Sequence, residues 1–296
     1  MRHWHKMAIA VPALAGAALL VLARWQIADS EPLQRLKGDP ARGAYLARMA
    51  GCIGCHTNFS SGGAPLAGGV AFETDFGTFH SPNLTTDPEH GIGNWNKHEF
   101  ARAVRRGISP EGEPYYPAFP YPFYAGFSDQ DVMDLWAAFR TVPPVAAPSR
   151  DHDLTPPFNL RSGLKIWREL YPADGTFKPD TSRGELWNRG KFIVEGPAHC
   201  GACHTPRDLL GARKTEMALE GATGLPGGGS APSITPQALS KRGWSVDSLA
   251  YALRSGIQPD GDVFGGSMAE VVRDSTAFLS DEDRKAIAVY LLDAEA

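Results

Sequence analysis

The chain has 296 residues, with 29 lysines and arginines against 33 aspartates and glutamates and a net charge of −4. That balance lacks the basic surface of a nucleic-acid binder, and the length suits about two domains of ordinary size. A hydrophobic content of 43% is enough for packed cores, and 32 glycines with 24 prolines stay below the roughly 25–30% that marks disorder, so the chain is folded but rich in loops.

In chain order the first feature is residues 1–28. Arg2 and Lys6 precede an uncharged apolar run, 7–23, closed by Arg24, which is the layout of an export signal. The run is long for a signal core and short for a spanning helix, and the small-x-small sequence Val21-Leu22-Ala23 abuts it, so we read an uncleaved anchor over a cleaved signal. Asp39 then caps a helix with Pro40 at its first position, leading through Tyr45 and Leu46 towards Cys52. After Cys52-Ile53-Gly54-Cys55-His56 come a glycine- and proline-rich loop, a middle helix and an aromatic loop. The last helix of this half opens at Ser128, with Asp131 at the capping-box position and an apolar stripe of Val132, Leu135, Trp136 and Phe139.

Residues 141–160 contain Pro143, Pro144, Pro148, Pro156 and Pro157 and read as an extended linker separating two domains. A short helix over 164–171, apolar at Ile166, Trp167, Leu170 and Tyr171, is expected to pack between them.

The second half repeats the first. Laying Cys200-Gly201-Ala202-Cys203-His204 over the first motif brings Arg189-Gly190 onto Arg42-Gly43, and Ala231-Pro232-Ser233-Ile234-Thr235 onto Ser81-Pro82-Asn83-Leu84-Thr85. It also brings Trp244 onto Trp95, and Ser280-Asp281-Glu282-Asp283, ahead of Ile287, Tyr290 and Leu291, onto Ser128-Asp129-Gln130-Asp131. The duplication sets two domains at 38–142 and 181–296, with 143–180 as the linker and its short helix.

All four cysteines lie in the two motifs. In Cys-x-x-Cys-His the thiols are spaced to bond both vinyl groups of one haem, and the adjoining histidine reaches the iron. A single zinc site would have to join two distant cysteine pairs and leave both histidines unexplained, and a thioredoxin-like pair would need a βαβ setting that neither motif has. Cys52, Cys55, Cys200 and Cys203 are therefore read as attaching two haem c groups, with His56 and His204 as proximal ligands. For the second haem the sixth ligand is Met268, in a loop before the last helix; its thioether raises the potential relative to histidine. Met49, Met133 and Met217 are less well placed.

The duplication sets Phe119 opposite Met268, and a phenyl ring cannot bind iron. The first haem then has an open sixth position or another ligand. His80, just before Ser81-Pro82-Asn83, leads as a substitute, the alternative being an imidazole that hydrogen-bonds a propionate or water. Tyr115, Tyr116, Tyr121, Phe123 and Tyr124 are read as packing around the haem edge.

Four strings carry a resemblance: Gly77-Thr78-Phe79-His80-Ser81-Pro82-Asn83-Leu84-Thr85, Gly91-Ile92-Gly93-Asn94-Trp95, Tyr116-Pro117-Ala118-Phe119-Pro120-Tyr121 and Cys203-His204-Thr205-Pro206-Arg207. Over about residues 38–293 the chain resembles the cytochrome c subunits of bacterial periplasmic and membrane-bound dehydrogenases, of the alcohol and gluconate dehydrogenase type. Those subunits carry three haem domains, so this chain resembles a shorter dihaem relative; in the alcohol dehydrogenase subunits the loop holding Phe119 usually supplies methionine. The expected fold is all-α: two tandem class I-like cytochrome c domains, loop-rich, behind the anchor or signal segment.

The resemblance implies a periplasmic relay, anchored to the inner membrane by the N-terminal segment. It would take electrons from a dehydrogenase catalytic subunit and pass them to a cytochrome or oxidase of the respiratory chain. This is an electron-transfer subunit rather than an enzyme by itself. The alternative is a dihaem peroxidase, or an oxidase of small sulfur compounds, working at an open first haem.

Overall fold

Asp39 opens the first helix as its sequence predicts, its carboxylate accepting from the N–H groups of Ala41 and Arg42 ahead of Pro40. The computed structural model describes residues 33–294 apart from 35, 174 and 176; the predicted anchor at 1–28 lies outside the described residues. The first half contains α1 (Pro40–Met49), α2 (Cys52–His56), β1 (Ala71–Thr74), β2 (Gly77–His80), α3 (Lys97–Arg106), α4 (Tyr121–Tyr124) and α5 (Asp129–Phe139). Next come β3 (Asp153–Leu154) and α6 (Ser162–Leu170). The second half contains α7 (Glu185–Glu195), α8 (Gly201–His204), β4 (Ala222–Leu225), β5 (Gly229–Ala231), α9 (Pro236–Lys241), α10 (Val246–Ser255), α11 (Gly266–Asp274) and α12 (Asp281–Leu292). Among the described residues no helix is long and apolar enough to cross a membrane.

The fold is mainly helical but not all-α. β1, β2 and β3 form an antiparallel sheet, and β4 pairs with β5. These strands have at most four residues and lie in glycine-rich stretches, too short for an alternating pattern to register in sequence. The proline-rich stretch is not a free linker either. Asn83 Nδ2 donates to the carbonyls of Val145 and Ala147, Asn83 N–H donates to Ser149 Oγ at 3.0 Å, and β3 pairs with β2 at Thr78↔Asp153.

α6 joins the two halves. Leu164 packs with Phe79 and Tyr116, and Arg168 donates to the carbonyl of Arg106, all in the first half. Trp167 Nε1 donates to the carbonyl of Leu210 at 2.9 Å, and the Tyr171 hydroxyl to Asp208 at 2.6 Å, both in the second.

Each half is organised by a crossing of its first and last helices, α1 with α5 and α7 with α12. One apolar cluster runs through both crossings and includes Leu46, Met49, Val132, Leu135, Ile193, Val194, Ile287 and Leu291. Each such side chain, fully buried, contributes about 1.5–3 kcal/mol against exposure. The predicted caps hold. Ser128 and Asp131 make the reciprocal box, whereas Ser280 accepts from Asp283 N–H while its own N–H donates to the Tyr45 hydroxyl at 3.0 Å.

Asp283 is freed by that exchange and links the halves. It accepts from Arg189 Nε at 2.7 Å and Nη2 at 2.8 Å, and from the Tyr45 hydroxyl at 2.6 Å. Burial pushes its carboxyl up, but the bonds from Arg189 and Tyr45 outweigh burial and hold it below the ordinary carboxylate value. A depressed carboxylate stabilises the fold fully above its unfolded pKa of about 3.9, and that contribution is lost as the pH falls through the folded value. Asp283→Asn is expected to cost about 1–3 kcal/mol at neutral pH and to flatten the fall of melting temperature below about pH 4. Thermal melts across pH check both.

Candidate functional site

Each cysteine motif forms about one helical turn, α2 and α8. His56 Nδ1 lies 2.8 Å from the carbonyl of Pro82, and His204 Nδ1 lies 2.7 Å from that of Pro232. With the Nδ1–H donated to a carbonyl, the lone pair at Nε2 is left to bind a metal, and the ring plane is fixed. Burial lowers the pKa of both imidazoles, the proline carbonyl opposing it in each case, so both are neutral at pH 7 as ligation requires.

The shelf behind each histidine is the same in both halves. Thr57 and Thr205 follow the motifs, both buried, and their hydroxyls accept from the N–H groups of Leu66 at 3.0 Å and Leu219 at 3.1 Å. Gly68 N–H donates to the carbonyl of His56, and Gly221 N–H to that of His204, each at 2.8 Å. A Cβ at Gly68, whose φ is +75°, would stand 2.6 Å from the Pro82 carbonyl oxygen that holds His56. The sequence reading missed these residues. The readable signal was Leu66-Ala67-Gly68 against Leu219-Glu220-Gly221, masked by a five-residue insertion in the second half that puts the two strings out of step with the motifs.

Cys52, Cys55 and Cys200 are half-buried, and Cys203 is exposed. Burial pushes the thiols of Cys52 and Cys200 up to about 12. It pushes Cys55 up to about 11, with the nearby Cys203, Glu270 and Asp274 adding to the effect. These are neutral thiols, unlike the activated thiolates of a redox pair. Two thiols and an Nε2-presenting histidine per motif are a donor set that fits a c-type haem.

The hairpin turn beyond the middle helix sets Phe119 and Met268 at matching positions in the two halves. Tyr115 N–H donates to the carbonyl of Gly107, and Phe264 N–H to that of Gly256, both at 2.8 Å. Four residues on from each stand Phe119 and Met268. Met268 is not in a loop as its glycines led us to expect: Gly265 is the N-cap of α11, and Met268 lies in the first turn, packed against the main core. Phe119 packs against Tyr115, Tyr121 and Tyr124. Met49 and Met133 are buried core residues.

His80 ends β2 and is buried. Its backbone N–H donates to His152 Nδ1 at 3.2 Å, and its Nε2 has no hydrogen-bond partner. A buried unpartnered imidazole nitrogen is costly, and it marks His80 as a residue to account for.

Two residues of the aromatic loop, Phe123 and Tyr124, reach the junction of the halves. The Tyr124 hydroxyl donates to the carbonyl of Ala50, Arg213 lies over the Phe123 ring at 4.0 Å, and a Cβ at Gly201 would stand 3.7 Å from Phe123 Cε1. Reciprocally, a Cβ at Gly54 would stand 3.4 Å from Asp274 Cβ. Each cysteine motif thus faces the opposite half.

No protein-family model matches the chain. It is 42% identical to a protein of Cereibacter sphaeroides named a dihaem c-type cytochrome, over 98% of both chains. It is 41% identical to the cytochrome c subunit of gluconate 2-dehydrogenase from Pantoea cypripedii, over 84% of this chain and 58% of the relative. Against the cytochrome c subunit of the quinone alcohol dehydrogenase of Gluconobacter oxydans the identity is 40%, over 84% of this chain and 53% of the relative. The chain therefore spans just over half the length of the two dehydrogenase subunits and nearly all of the dihaem protein.

Proposed function

The chain belongs to the family of dihaem c-type cytochromes and cytochrome c subunits of bacterial dehydrogenases and carries two covalently bound haem c groups, and from that premise we propose that it is a periplasmic electron relay. It takes electrons from a dehydrogenase catalytic subunit and delivers them to a cytochrome or oxidase of the respiratory chain, held at the inner membrane by residues 1–28. Residues 38–142 and 181–296 are its two haem domains. The peroxidase and sulfur-oxidase alternatives draw no support from the relatives named above.

The observation that carries this reading is the paired clamp, His56 on Pro82 and His204 on Pro232, behind two identical attachment motifs. Haem, when bound, supplies one-electron redox chemistry at an iron whose potential its ligands set. The chain's own residues do the rest. Cys52, Cys55, Cys200 and Cys203 hold the groups covalently, and the two clamped histidines present neutral Nε2 atoms as proximal ligands. Met268 offers a thioether to the second site. At the first site, His80 ends β2 two residues before Pro82, whose carbonyl holds the proximal imidazole. We assign its unpartnered Nε2 to a haem propionate and leave the first sixth position without a protein ligand.

The holoprotein is expected to contain two haems per chain, and the double variant Cys52→Ser/Cys55→Ser one. Stoichiometric reduction by the partner dehydrogenase, followed by reoxidation by a membrane oxidase preparation, would support the relay. Rapid peroxide turnover by the reduced protein with no partner present would overturn it.

A further inference from the structure

His199 stands between the two attachment motifs. It immediately precedes Cys200, as Gly51 immediately precedes Cys52. Its φ of +41° lies in the left-handed region, where a residue with a side chain is strained, and Gly51 has the matching φ of +68°. The two halves make the same turn into their motifs, but the second makes it with an imidazole. The ring is held by its own turn, Nδ1 lying 2.8 Å from the carbonyl of Pro197. From there it reaches across the junction. A Cβ at Gly51 would stand 3.1 Å from His199 Cε1 and 3.7 Å from Nε2, so the ring lies against the glycine that leads into the first motif, where a side chain would crowd it. Phe123 and Tyr124 of the first half flank the same ring edge-on, with centroids at 6.0 and 6.1 Å.

We propose that His199, beside the direct approach of the two motifs at Cys55 and Cys203, is a positioning residue whose packing speeds electron exchange between the two haem sites. The inference rests on the two-haem relay proposed above. From Cys200 one peptide unit leads to His199, its ring bridges to Gly51, and one further peptide unit leads to Cys52. The step is a one-electron exchange in which one iron is oxidised as the other is reduced, with no bond formed and no proton moved. Tunnelling through bonded and closely packed atoms decays less steeply than through a gap, so a filled junction is faster than an open one. The strained backbone and the Pro197 bond keep the ring in the junction.

The test is the rate of electron redistribution between the two haem signals after pulsed reduction of the oxidised holoprotein with less than one electron per chain. His199→Asn is the informative variant, because asparagine adopts the left-handed backbone readily but is too short to fill the junction. It is expected to slow redistribution several-fold while both haem potentials and spin states stay unchanged. His199→Phe, which refills the contact, is expected to restore the rate. Redistribution at the normal rate in His199→Asn overturns the proposal, as does slow redistribution in a His199→Phe protein with both haems intact. Should His199→Asn disturb haem attachment, His199→Ala opens the same gap and is judged by the same criterion. Haem content is measured on every sample: a wild-type chain without two reducible haems would sink the relay itself, whereas an unaffected rate sinks only the role of His199.

Discussion

Gly190→Ala is expected to destabilise the holoprotein by about 2–4 kcal/mol, although in an isolated helix the same change would gain about 1 kcal/mol of propensity. The reason is the crossing of α7 with α12. A Cβ on Gly190 would stand 2.0 Å from the carbonyl oxygen of Ala286 and 2.7 Å from Tyr290 Cβ. Backbone cannot yield as a side-chain end can, so the helices must part and the apolar contacts of Ile193, Ile287 and Leu291 loosen with them. Gly43→Ala should cost a similar amount, because its Cβ would meet the Asp134 carbonyl oxygen at 1.8 Å where α1 crosses α5. The control is Gly256→Ala. Its φ of +77° strains any side chain, but nothing lies within 4 Å, so the cost is the backbone penalty of about 1–2 kcal/mol alone. Thermal melts followed at the Soret band should rank Gly43→Ala and Gly190→Ala well below Gly256→Ala. Equal melting temperatures for all three would mean that close helix approach does not set stability here.

Electron paramagnetic resonance of the oxidised holoprotein is expected to show two unlike haems, one low-spin with Met268 as sixth ligand and one high-spin in the first half. Met268→Leu should turn the second haem high-spin as well and lower its potential by a sizeable part of the roughly 0.8 V range over which axial ligands set haem potentials. Phe119→Met should act in the opposite direction at the first haem, adding a second low-spin signal and raising that potential. The register behind this pairing is physical, since Tyr115 and Phe264 close matching hairpin turns four residues earlier. Two low-spin signals in the unaltered protein would instead place His80 on the first iron, and His80→Phe would then produce the high-spin form. A high-spin first haem would also make peroxide reactivity the first property to measure.

The chemistry of this protein was legible because it is local. Five consecutive residues, twice over, carry the proposed covalent attachment and the proposed proximal histidines, and the caps at Asp39, Ser128 and Ser280 follow from side chains within three positions of the amides they bind. The duplication was equally readable, and it led to Pro82 and Pro232 before their hydrogen bonds were visible. What escaped were features needing a partner distant in the chain. β3 is two residues that become a strand only beside β2, the proline-rich segment is bound by Asn83, and Met268 lies in a helix whose glycine start hides it.

By itself, then, the sequence determined the number of haems, the residues proposed to attach them and the contrast between Met268 and Phe119, since covalent bonding and ligand identity depend on residue type and short spacing. Only the tertiary structure decided that each motif faces the opposite half, that Gly43 and Gly190 are required where helices cross, and that His199 fills the junction between Gly51 and Cys200. Those are contacts between segments far apart in the chain. Their existence depends on how the two helix crossings meet in one shared core, and no local pattern encodes that meeting.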